Sequence, residues 1–114
     1  MAIALRTDNP ESIVDDIRAL IDAGEIISWG YDADGDFTHS GQWKNKAWIS
    51  TIINGEELTF YIVGRKSVQM ELSEYAVFHG LFVELLLTFF SDRIMTFEVT
   101  APYVNDLDCN NIHV

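Results

Sequence analysis

The sequence predicts an α+β fold in which an antiparallel β-meander packs against two helices, in the order α-β-β-β-β-α-β. Three observations carry this expectation. Two segments repeat their apolar residues at helical spacing, a stretch between them alternates with a period of two, and the dipeptides Asp34-Gly35 and Asn54-Gly55 suit tight hairpins.

The first helix has a defined start. Asn9 can cap it, Pro10 already holds the φ angle of a first turn, and Glu11 complements the positive end of the helix dipole. Ile13, Val14, Ile17, Leu20 and Ile21 form one apolar stripe, and Gly24 follows as a left-handed terminator. Glu11, Asp15, Arg18 and Asp22 are left on the outer face.

From Ile26 the period becomes two. Strands Ile26–Ala33 and Asp36–Trp43 should pair across Asp34-Gly35, the second lying at an edge or carrying a bulge because it is polar and contains Gly41. Asn54-Gly55 then separates Ala47–Ile53 from Glu56–Val63, both rich in β-branched and aromatic residues. A two-residue turn at that dipeptide places Ile53 opposite Glu56, Thr51 opposite Leu58, Ile49 opposite Phe60 and Ala47 opposite Ile62. Ile49, Leu58, Phe60 and Ile62 would share the buried face, and Trp48 would pair with Tyr61 on the other.

Ser67–Glu71 reads as a short continuation before Ser73 caps a second helix, with Leu72 and Val77 as a hydrophobic staple. Glu74, Glu84 and Thr88 leave that helix only a narrow polar strip, so either the sheet wraps it or a partner covers it. Its apolar run, Tyr75 to Phe90, is about 16 residues against the roughly 20 of a membrane span, and reads as a buried helix. Ile94–Thr100 alternates as a last strand, Pro102 stops it, and the polar stretch from about residue 102 reads as a flexible tail.

At 114 residues, 48% of them hydrophobic, the chain suits a single domain over 1–114. Seven basic residues against 18 acidic ones give a formal net charge of −11, which disfavours direct binding to nucleic acid or to an anionic membrane. One cysteine, Cys109, permits no internal disulfide, and the first residues lack the basic and apolar segments of a signal peptide, so a cytoplasmic setting is expected.

Catalytic and metal chemistry find little support. Asp32, Asp34 and Asp36 resemble the opening of a calcium loop, but Phe37 and Trp43 stand where an EF-hand needs glycine and a bidentate glutamate. His39, His79 and His113 have no ligand spacing, and acidic neighbours disfavour a Cys109 thiolate. His79, inside the apolar face of the second helix, reads as a core histidine that needs a hydrogen-bond partner. Without a phosphate loop, nucleophile elbow or zinc motif, the expectation is a protein that is not an enzyme and uses no cofactor or metal.

Charge is the strongest functional clue because it is uneven. Residues 1–36 hold nine acids and two bases, residues 73–114 six and one, and residues 37–72 three acids and four bases. Such a surface attracts a basic protein partner. Expected binding residues are Glu11, Asp15, Asp16, Asp22, Asp32, Asp34 and Asp36, with Trp48 and Tyr61 as exposed aromatics.

The leading reading is therefore a small non-enzymatic inhibitor that occupies a basic, nucleic-acid-binding surface of another protein. In size, charge and lack of a catalytic constellation it is similar to phage-encoded counter-defence inhibitors, including anti-CRISPR proteins and DNA mimics. Alternatives are an immunity protein or antitoxin neutralising a toxin, a small enzyme or ligand-binding domain using His79, and a homodimer formed through the second helix.

Overall fold

A computed structural model describes residues 2–41, 46–65 and 70–99. The architecture is α+β: one antiparallel six-stranded sheet with two helices on one face. The elements are β1 (Ala2–Arg6), α1 (Pro10–Asp22), β2 (Trp29–Tyr31), β3 (Phe37–His39), β4 (Ala47–Asn54), β5 (Glu57–Gly64), α2 (Leu72–Phe90) and β6 (Thr96–Val99), with a short 3₁₀ turn at Ser91–Arg93.

The sheet order β2-β3-β4-β5-β1-β6 contains the expected meander and adds an N-terminal strand that the sequence reading did not assign. β1 lies between β5 and β6, with Ile3 opposite Phe60 and Val99, and Leu5 opposite Leu58 and Phe97. Two apolar residues spaced by alanine give little periodic signal. Pairing on both sides nevertheless buries Ile3 and Leu5 completely.

α1 forms as expected. The Asn9 side chain accepts a hydrogen bond from the Ser12 amide at 3.2 Å, and Ser12 Oγ donates back to the Asn9 carbonyl. At the other end Gly24, with φ of +78°, donates to the Ile21 carbonyl while the Glu25 amide reaches Leu20, closing a Schellman motif.

Both hairpins depart from their expected turns. Asp32 to Asp36 closes around a three-residue loop: the Asp32 amide donates to the Asp36 carbonyl, the Gly35 amide donates to the Asp32 carbonyl, and Gly35 has φ of +86°. A third loop residue with left-handed backbone is what glycine allows at little cost. The strands it joins are also shorter than Ile26–Ala33 and Asp36–Trp43, three residues each. Residues 42–43 of the expected second strand lie outside the described residues.

In the second hairpin Asn54 pairs with Glu57, so the loop is Gly55-Glu56, with Gly55 at φ of +63°. Every partner moves by two positions: Ile49 faces Ile62, Thr51 faces Phe60, Trp48 faces Val63 and Tyr61 faces Ser50. The expected Trp48–Tyr61 pair is thus incorrect. The buried face survives because a shift of two preserves which side each residue points to.

α2 starts earlier than expected, at Leu72 after the N-cap Glu71, and has no side-chain cap hydrogen bond. Ser73 is therefore not the cap, and both members of the expected staple, Leu72 and Val77, are exposed. The sheet covers one face of α2, burying Tyr75, Phe78, His79, Phe82, Leu85, Leu86 and Phe90. With the 3₁₀ turn, α2 is the one helix among the described residues long and apolar enough to cross a membrane; one face of it packs on the sheet, while Leu72, Val77, Leu87 and Phe89 stay exposed. Phe82 is the hub, its ring centroid 4.8 Å from Phe60, 5.1 Å from Trp29 and 5.8 Å from Phe37. The contacts with Trp29 and Phe60 are edge-on and that with Phe37 is tilted; aromatic pairs of this kind add about 0.5–1.5 kcal/mol each beyond burial.

β6 begins at Thr96, and Phe97 and Val99 share the core-facing side with Leu5 and Ile3. Residues 67–69 of the expected Ser67–Glu71 strand, Thr100 and the tail with Cys109 and His113 lie outside the described residues.

Candidate functional site

Arg18 is the pivot of the acidic surface. It projects from α1 and its Nη2 donates to the Gly35 carbonyl at 3.1 Å, while its guanidinium lies over the Tyr31 and Phe37 rings at 5.9 and 5.5 Å. This bond holds the β2–β3 turn against the helix. The turn that carries Asp32, Asp34 and Asp36 therefore lies beside the part of α1 that carries Arg18. Asp15 is exposed and only loosely paired with Arg18, at 3.9 Å. At that distance on the surface the pair contributes at most about 1 kcal/mol.

The carboxylates of this surface do different work. Asp32 Oδ1 accepts from the amides of Asp34 and Asp36, each at 3.0 Å, so its charge organises the turn. Asp36 accepts from Ser50 Oγ at 2.6 Å and ties the turn to β4. Asp22 accepts from the Tyr31 hydroxyl at 2.8 and 2.9 Å, and that bond raises the Tyr31 pKa, since ionisation would set two negative charges side by side. Asp16 is turned elsewhere: Arg93 Nη1 donates to it at 2.6 Å and Nη2 donates to Ser12 Oγ at 2.7 Å. Its charge is largely compensated. Glu11, Asp15 and Asp34 are exposed.

The aromatics divide as well. Trp48 is 6% exposed and Val63, opposite it, is also buried, outside the main core on the sheet face away from the helices. Trp48 is thus packed rather than presented, and Tyr61 is half-buried. Trp29 belongs to the core, and Trp43 lies outside the described residues.

Sequence reasoning missed a groove of about 260 Å³ between residues 25–29 and α2. Ile27, 81% exposed, and Phe89 stand on opposite walls, Trp29 and His39 line it further in, and Glu25 and Glu84 also border it. Trp29 and His39 are cross-strand partners stacked edge-on at 5.3 Å. The His39 Nδ1 accepts from the Gly41 amide at 3.1 Å, and burial lowers its pKa, so the ring is neutral at pH 7. Exposed Ile27 beside an acid was the available signal, but only the approach of α2 makes it a wall.

His79 does not line this groove. It is 1% exposed, tilted against Tyr75 with ring centroids 5.0 Å apart, and neither ring nitrogen has a hydrogen-bond partner among the described residues. The partner that sequence reasoning required is missing there, and burial pushes its pKa down to about 3. Among the described residues no group of three or more His, Cys, Asp or Glu side chains is placed to hold a metal ion. The chain matches no protein-family model, no curated protein and no solved structure.

Proposed function

We propose that the protein is a non-enzymatic binding protein that acts in the cytoplasm by occupying a basic surface of a partner protein, inhibiting it as counter-defence inhibitors and DNA mimics do. The observation that supports this reading is the Arg18 bridge. It sets the turn that carries Asp32 and Asp34 beside the helix that carries Asp15 and Asp22, while the turn amides hold the Asp32 carboxylate and the Tyr31 hydroxyl holds that of Asp22. Preorganised charge steers a basic partner and fixes its orientation at low entropic cost.

Glu11, Asp15 and Asp34 are exposed and make no strong bond to another element, so their neutralisation leaves the fold intact. After capture of the partner from the host cell and identification by mass spectrometry, the triple variant E11Q/D15N/D34N should bind it about tenfold more weakly, with a flatter dependence on salt, a loss near 1.4 kcal/mol. Unchanged affinity and salt dependence would reject the acidic surface as the contact.

A further inference from the structure

We infer that the groove between residues 25–29 and α2 is an anchor site for an arginine side chain of a protein partner. The inference rests on the reading of a basic partner but uses a surface separate from the α1 and turn acids, so failure of the groove and failure of that acidic surface are distinguishable.

The walls have the chemistry of an arginine side chain. Ile27 and Phe89 offer apolar contact for its methylene stem, and Glu25 and Glu84 border the same groove without an ion pair among the described residues. Long cationic side chains bury their stems along apolar surface and keep the charged head among acceptors. A guanidinium can in addition fork to carboxylates and stack on an aromatic ring, which an ammonium does less well.

Size narrows the occupant. Small-molecule sites occupy roughly 300–1,000 Å³, so a groove of about 260 Å³ holds one or two side chains rather than a whole ligand. A second copy of this chain is disfavoured by its net charge of −11, which would bring like charges together. Neutral His39 in the wall adds no positive charge to oppose a cation.

The test is an NMR titration of the ¹⁵N-labelled protein with a short Leu/Arg peptide and with the same peptide carrying citrulline, which has the shape of arginine without its charge. The arginine peptide should shift the amides of Ile27, Glu84 and Phe89 and the Trp29 indole. Citrulline should weaken binding at least tenfold, and so should the surface variant E25Q/E84Q, with E11Q/D15N/D34N retaining those groove shifts. The proposal is overturned if the groove resonances do not move, if citrulline binds equally, or if E25Q/E84Q binds as the native chain does. Shifts confined to α1 and residues 32–36 would overturn the groove while leaving the acidic-surface reading standing. Intact groove binding with unchanged partner affinity in E11Q/D15N/D34N would do the reverse.

Discussion

In an unfolded chain His79 titrates near 6.5, whereas its burial beside Tyr75 pushes the folded value down to about 3. Below pH 6.5 the unfolded state therefore holds a proton that the folded state refuses. His79 protonation costs no stability above pH 6.5, and the loss grows as pH falls toward 3, by about 1.4 kcal/mol per pH unit within that window. His79→Leu removes this dependence and also the desolvation cost of two ring nitrogens that lack partners among the described residues, so it should stabilise the protein at pH 7 by about 1–2 kcal/mol. Denaturant unfolding at pH 5 and pH 7 measures both effects; a variant as acid-sensitive as the native chain would show that another group governs the response. The burial of His79 was legible in the sequence from its place on the apolar face. The missing partner was not, since which neighbour faces a ring nitrogen depends on elements distant in sequence.

Among the elements, the two helices contrast in how their ends are held. α1 has its Asn9 cap and its Schellman closure, both readable because each uses a residue with one strong local preference. α2 begins at Leu72 after an N-cap Glu71 that makes no side-chain cap hydrogen bond, and its 19 residues are held by packing of one face on the sheet. Glu71→Ser supplies a short hydroxyl that can reach the amides of the first turn and should raise stability by about 0.5–1 kcal/mol in chemical denaturation. No gain would mean that the entry to α2 leaves the serine side chain out of reach. Boundaries at Ser73 and at the Asn54-Gly55 turn were misplaced for a shared reason: the apolar pattern specifies faces, and a start or a register moved by two residues leaves those faces unchanged.

For the whole molecule, the net charge of −11 sets the balance between repulsion and attraction. Eighteen acids face only seven basic residues, and some of those bases are engaged in ion pairs such as Arg6–Glu56, Arg18–Asp15 and Arg93–Asp16. Screening therefore removes more repulsion than attraction, and the melting temperature should rise from low to physiological ionic strength. A fall instead would show that those few pairs outweigh the general repulsion. The same charge is what the proposed function uses.

Taken alone, the sequence determined the two helices, the meander, the buried face of the β4–β5 hairpin and the uneven distribution of acids, because periodicity, turn dipeptides and charge are local or compositional properties. Only the tertiary structure decided that Ala2–Arg6 is an inner strand, that Asp16 is compensated by Arg93, that Trp48 is packed, and that residues 25–29 and α2 enclose a groove. Each of these depends on a contact between segments far apart in the chain, where neither partner carries a pattern that names the other. The acidic surface belongs to both levels. Its charges were countable in the sequence, and a hydrogen bond from Arg18 to Gly35 sets the acidic turn beside α1.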